Sequence, residues 1–321
     1  MLSGIFKKRV VLRGGAELNG AQLNGAELNG AELNGAACGV VSSGEKAGCA
    51  LLLGGFDGLH KGHETLLAAA KATGREVAAI AISGGKGLPI YTEKERDYIF
   101  AKSGISGVYP LDFAKIKDMS AAEFALAVKE KIAPAVCFCG EDFRFGAGGK
   151  ASGEVFEKIS GIPVRALPVL KDENGEKIGA ERIKKLIERG DVSSANALLC
   201  GGFILIGEVK RDRGVGAKIG FPTANIDYPA GKTRLKHGVY ETRAEIGGKT
   251  YKGITNFGAR PTFLVDTVVT ETHFLGFSGD LYGETLTIDF VRFLREIRAF
   301  SGADELIAQL KTDEKRVEEG I

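Results

Sequence analysis

Gly55-Phe56-Asp57-Gly58-Leu59-His60-Lys61-Gly62-His63 is the stretch that decides how the first half of this chain is read. A short apolar run, Ala50–Leu53, precedes it, and a helical pattern over His63–Lys71 follows. The stretch is therefore a strand-to-helix turn, the place where an open parallel sheet binds nucleotides. A helix N-terminus offers phosphate its free backbone N–H groups and a partial positive charge. Gly55, Gly58 and Gly62 permit close backbone approach, and His60 and His63 are hydrogen-bond donors suited to a triphosphate. The chain has only four histidines and two fall in this turn, which favours a phosphate site over incidental surface residues.

Outward from that turn, strand and helix signals alternate. Val77–Ile82 is a second apolar run. Thr92 with Glu95 and Ser120 with Glu123 are capping-box helix starts, and Phe124, Val128 and Ile132 recur at helical spacing. Val136–Cys139 and Val164–Val169 continue the alternation, so residues 47–195 are expected to form an α/β, Rossmann-like domain with a mostly parallel sheet. Beyond Cys200 the pattern becomes all β. Val239–Ile246, Gly247-Gly248 and Lys249–Asn256 read as a hairpin with a two-residue turn. Leu286, Ile288 and Phe290 alternate as in a half-buried strand. Ser301 with Asp304 opens a last helix carrying Leu306, Ile307 and Leu310. Residues 200–321 are thus expected to form a small antiparallel β-barrel with a C-terminal helix, with the boundary near residues 190–200. Residues 1–46 hold a five-residue unit, Ala-Glu-Leu-Asn-Gly, repeated four times from Ala16 to Gly35 with Gln22 for Glu. The unit resembles the pentapeptide-repeat pattern, but four copies make one coil, too few to bury a core. A flexible extension is expected, with an interaction module as the alternative.

Composition narrows the function classes. The net charge of +2 gives no electrostatic reason to expect a nucleic-acid partner. The hydrophobic fraction of 44% and charged fraction of 26% fit a globular, cytoplasmic protein. No apolar run approaches the ~20 residues of a membrane span, and the start reads as no signal peptide. The five cysteines follow no framework spacing; Cys137 and Cys139 form a lone C-x-C and read as buried thiols.

A second constellation lies at Gly214-Val215-Gly216-Ala217-Lys218-Ile219-Gly220-Phe221-Pro222-Thr223-Ala224-Asn225. Its glycines make a loop able to wrap phosphates, though it lacks the Walker A ending. Thr223 and Asn225 supply hard oxygens appropriate for Mg²⁺. The Gly-Phe-Pro-Thr-Ala-Asn run resembles the riboflavin kinase signature. Further family landmarks follow in order: Gly238-Val239-Tyr240, Asn256-Phe257-Gly258, Glu271-Thr272-His273, Asp280-Leu281-Tyr282-Gly283 and Arg295-Glu296. The resemblance implies that Glu271 is the catalytic base. It also implies that Gly214, Gly216, Lys218 and Gly220 bind ATP, that Thr223 and Asn225 hold Mg²⁺, and that Asn256 and Arg295 contact the flavin.

The first turn is similar to the H-x-G-H motif of nucleotidyltransferases and, over its whole length, to the adenylyltransferase module of bacterial bifunctional riboflavin kinase/FMN adenylyltransferases (FAD synthases). Gly140-Glu141-Asp142-Phe143-Arg144-Phe145-Gly146, with Gly153 after it, is similar to that module's flavin-binding loop. The resemblance places ATP at Gly55, Phe56, His60 and His63, and flavin at Asp142, Phe143 and Phe145. The substrates it implies are riboflavin, FMN and ATP. Two stretches depart from the pattern. Ala81–Pro89 lacks the family's Thr-Phe-Asp-Pro-His-Pro, and Ile178-Gly179-Ala180-Glu181 stands where the family has Ile-Ser-Ser-Thr. The departures predict a slowed adenylyltransferase. Three readings follow: a bifunctional FAD synthase, a kinase with an impaired second domain, or a non-catalytic flavin-binding protein. The products formed from riboflavin and Mg·ATP separate them.

Overall fold

The computed structural model describes residues 10–11, 48–85, 87–211, 216, 219–259 and 268–320. The repeat from Ala16 to Gly35 lies outside them, as do Gly214 and Lys218. The chain forms two compact units, dividing at Ala180 and Glu181.

The first unit is built on strands β1 (Val10–Val11), β2 (Ala50–Leu52), β3 (Val77–Ser83), β4 (Gly107–Asp112), β5 (Val136–Gly140) and β6 (Val164–Leu167). They lie in the order β1-β4-β3-β2-β5-β6, all parallel except β1 on β4. Helices α1 (Lys61–Lys71), α2 (Glu93–Lys102), α3 (Phe113–Ile116), α4 (Ala121–Lys131) and α5 (Gly153–Ser160) connect them. This is a Rossmann-like α/β sheet, as expected. Both capping boxes form: Thr92 and Ser120 each accept the N–H of the glutamate three residues on, which bonds back to the cap. The winding reverses between β2 and β5, so the crevice at their carboxyl ends is the switch point where such sheets bind ligands. The core beneath it holds Leu51, Leu53, Ile80, Phe124, Phe145 and Phe156. At Gly153 a Cβ would stand 3.0 Å from Cys139 Sγ, so α5 packs this closely only with glycine there. Cys137 and Cys139 are buried thiols, and burial pushes Cys139 up to about 11.

Helix α6 (Ala180–Glu188) begins at the division, and α7 (Val192–Leu198) follows it in the second unit. α7 is held by Asn196, whose amide donates to the Phe290 carbonyl, and by Ser193, which donates to that of Val291. Strands β7 (Phe203–Glu208), β8 (Ala224–Asp227), β9 (Gly238–Ile246), β10 (Lys249–Ala259), β11 (Val268–Phe274) and β12 (Thr285–Arg295) run antiparallel in the order β7-β12-β9-β10-β11-β8. An isolated bridge, Lys210 to Asn225, brings the two edges together and nearly closes the barrel. A Cβ at Gly207 would meet Ile226 at 2.3 Å, so glycine permits that approach. The β9–β10 turn is Gly247-Gly248, with φ of 58° and 77°, the left-handed pair that a tight hairpin requires. Inside, the hydroxyls of Thr242, Thr255 and Thr272 form a hydrogen-bonded chain across three strands, 2.7 and 2.8 Å long. Helix α8 (Ala303–Glu319) packs Val317 against Val239, Ile254 and Leu294 on the outer face. Its start differs from the expected pairing: Ser301 N and Oγ bond Glu305, not Asp304, because the helix begins two residues after Ser301.

Candidate active sites

In the first unit, the two stretches singled out from the sequence follow the two strands that flank the switch point. Leu52 of β2 is the register partner of Phe138 of β5. Residues 53–60 leave one strand end and residues 141–146 leave the other, so the topology brings together motifs some 80 residues apart in sequence. Phe56 has φ +42°, a left-handed conformation uncommon for a bulky residue. Its ring is buried with centroids 4.4 Å from His63 and 6.3 Å from Phe100. It is therefore an anchor beneath the turn, while Gly55 is open to solvent and a Cβ there would meet nothing. The Asp57 carboxylate accepts the N–H of Ile90 at 2.9 Å and ties the turn to the loop before α2.

His60 and His63 stack at 3.7 Å. The Nδ1 of His63 lies 3.0 Å from the Gly58 carbonyl, an acceptor only, so that nitrogen carries the proton. Burial holds His60 down to about 4, with the charge of Lys177 adding to the effect. Burial and the neighbouring His60 hold His63 well below the usual histidine range. His60 Nδ1 is buried with no hydrogen-bond partner among the described residues, the condition of a donor or acceptor waiting for a ligand. Lys177 forms an ion pair with Asp142 of the second motif. The sequence reading missed Lys177, which belongs to no motif and lies 35 residues from its partner. Phe143 and Phe145 stack at 5.6 Å. Phe145 lies in the core against Phe124 and Phe156, so it backs Phe143, whose ring is half-buried.

In the second unit, the barrel register carries the geometry. Asn225 of β8 pairs with Glu271 of β11, Glu271 with Asn256 of β10, Asn256 with Val239 of β9, and Val239 with Arg295 of β12. Directly paired residues share a face of the sheet, so four candidate residues form one row across the barrel wall. With strands about 4.8 Å apart, Asn225 and Asn256 flank Glu271 within one ligand's reach. The Asn225 amide nitrogen is 3.3 Å from the Thr223 carbonyl and 3.4 Å from its hydroxyl. Both side chains also carry a hard oxygen, the donor type that Mg²⁺ takes, so the pair is chemically suited to that ion. At Gly216 a Cβ would meet the Phe221 carbonyl at 2.3 Å, and the Gly216 carbonyl accepts the N–H groups of Ile219 and Phe221. Gly220 has φ +86°, a left-handed turn. Arg295 ends the row engaged elsewhere: its guanidinium clamps Asp313 of α8, a fully buried carboxylate, at 2.8–3.1 Å. Asn256 is exposed at the row's centre.

Comparison with known proteins agrees with both halves. A family model described as riboflavin kinase matches residues 201–321. The bifunctional riboflavin kinase/FMN adenylyltransferase of Haemophilus influenzae is 27% identical over 83% of this chain and 92% of its own length. That of Bacillus subtilis is 27% identical over 84% and 92%. A solved structure from Streptococcus pneumoniae, described as a macrolide-efflux protein, aligns with a TM-score of 0.76 and 27% identity, covering 86% of this chain and 95% of that one. Among the described residues no helix is long and apolar enough to cross a membrane.

Proposed function

We propose that this chain, a member of the bifunctional riboflavin kinase/FMN adenylyltransferase family, converts riboflavin to FMN in its barrel and FMN to FAD in its α/β unit, each step consuming ATP. The observation that carries the reading is the Asn225–Glu271–Asn256 row, with Thr223 beside it, inside the region that the riboflavin kinase model matches.

In the first reaction the ribityl 5′-hydroxyl attacks the γ-phosphorus of ATP and ADP leaves. That hydroxyl is a weak acid, so a placed carboxylate must accept its proton as the bond forms. Glu271 takes this role, set by β11 between Asn225 and Asn256. Thr223 and Asn225 hold Mg²⁺, which when bound offsets charge on the phosphates. Gly214, Gly216, Lys218 and Gly220 bind the ATP phosphates, and Asn256 orients the flavin. Arg295 serves the site by locking α8 onto the sheet.

In the second reaction a phosphate oxygen of FMN attacks the α-phosphorus of ATP and pyrophosphate leaves. The attacking phosphate is already ionised, so the work is alignment and charge neutralisation. The α1 N-terminus, His60, His63 and Lys177 face the triphosphate, and Asp142 and Phe143 receive the flavin. Both imidazoles are held neutral and each carries one N–H: His63 donates its own to the Gly58 carbonyl and so shapes the turn, His60 donates its one to a phosphate oxygen, and Lys177 supplies the positive charge.

Incubating the full chain with riboflavin and Mg·ATP tests the reading. Wild type should yield FMN and then FAD on chromatography. Glu271→Gln keeps the shape and removes the base, and should lower riboflavin phosphorylation by at least ~10²-fold. Phosphorylation by that variant at the wild-type rate would remove Glu271 from the role.

A further inference from the structure

We propose that His273 is a positioning residue of the kinase site, fixing the loop that carries Thr223, just ahead of Asn225 on β8, against the strand that carries Glu271. This rests on the kinase reading above. His273 lies two residues beyond Glu271 on β11, so both side chains leave the same face. Its Nδ1 stands 2.8 Å from the carbonyl oxygen of Pro222. That oxygen only accepts, so Nδ1 must carry the proton and donate. The ring meets Phe221 edge-on, with centroids 5.2 Å apart. Its Nε2 lies 3.3 Å from the Glu314 carboxylate of α8, and the side chain is only 13% exposed. One imidazole therefore touches the loop, the base-bearing strand and the C-terminal helix.

The loop needs such an anchor. From Ala224 onward the backbone is held by ladder bonds to β11. Pro222 has no N–H to donate, and Thr223 sits between it and the ladder. The bond from His273 to the Pro222 carbonyl sets where Thr223 begins, and with it the separation of the Thr223 hydroxyl from Asn225. A displacement of about 1 Å in such a pair is enough to cost ~10²-fold in a positioned reaction.

The experiment uses the full chain with His273→Asn, His273→Gln and His273→Leu. The Asn amide nitrogen reaches about where Nδ1 stands, whereas the Gln amide reaches towards Nε2, and Leu donates nothing. His273→Asn should keep the Mg²⁺ concentration for half-maximal riboflavin phosphorylation within about threefold of wild type. His273→Gln and His273→Leu should raise it by about tenfold or more, the weight of a lost positioning hydrogen bond, with the riboflavin KM unchanged. Melting temperatures of the same samples report whether each variant folds, and conversion of supplied FMN to FAD reports that the α/β unit is intact. Equal impairment of the Asn and Leu variants would overturn the proposal, as would a wild-type magnesium dependence in all three. A wild-type chain that does not phosphorylate riboflavin would instead overturn the kinase reading itself.

Discussion

His60 concentrates the physics of the first site. An imidazole in water titrates near 6.5, and burial beside Lys177 brings this one to about 4. The folded state therefore prefers the neutral ring, while the unfolded chain takes up a proton as soon as the pH drops below 6.5. Stability from this group is complete above 6.5 and is lost as pH falls towards 4, a span worth on the order of 3 kcal/mol. His63, held low by burial and by His60, acts in the same direction. Urea unfolding of the α/β unit's signal at pH 7.5 and pH 5 should show about 2 kcal/mol of this loss in wild type and a smaller one in His60→Gln. An identical loss in the variant would place the acid sensitivity elsewhere. The sequence already marked His60 and His63, because two of four histidines sat in one glycine-rich turn. It could not mark Lys177, whose place beside them follows from a bridge between Lys171 and Lys177 that turns the chain back on itself.

Among elements, those whose signals are local were legible and those that depend on a neighbour were not. The capping boxes at Thr92 and Ser120 and the Gly247-Gly248 hairpin need only residues within a few positions, and each formed. Strand β4 escaped because Pro110 interrupts it. Among the described residues its edge partner β1 pairs with Gly107 and Val108, and no ladder bond runs from position 110 to that side, which lets the strand take a proline. The Asn225–Glu271–Asn256 row was beyond reach for the opposite reason, since register across three strands is a property of the barrel and not of any segment. The start of α6 is one of the two stretches that depart from the motif pattern the sequence otherwise resembles. Gly179 and Ala180 open it without hydroxyls, and the preceding Ile178 carbonyl lies 3.5 Å from where a Gly62 Cβ would stand, beside the α1 N-terminus. Gly179→Ser, Ala180→Ser and Glu181→Thr together should therefore raise the rate of FAD formation from supplied FMN, by adding donors and removing an acid near the phosphates. An unchanged rate would mean that His60, His63, Lys177 and the helix N-terminus already suffice.

At the scale of the whole molecule, the two compact units each hold a complete set of candidate groups. The base, the metal-holding pair and the loop are all contributed by residues after 200, whereas the histidines, Lys177 and Asp142 all lie before 181. No candidate residue is shared, so damage to one reaction should leave the other intact. The N-terminal segment bears on only one unit through described residues: Val10 and Val11 add a two-residue edge to the first sheet at Val108 and Gly107. So short an edge contributes little beside the buried strands it joins. Removing residues 1–45 should accordingly leave riboflavin phosphorylation at the wild-type rate and lower the melting temperature of the α/β unit by a few degrees at most. The full chain carrying Glu271→Gln supplies the complementary measurement. Given riboflavin it should accumulate neither FMN nor FAD, but given FMN it should form FAD as fast as wild type. His60→Gln should do the reverse, accumulating FMN that it converts slowly. Loss of both reactions in either variant, with folding intact, would show that the two sites depend on each other.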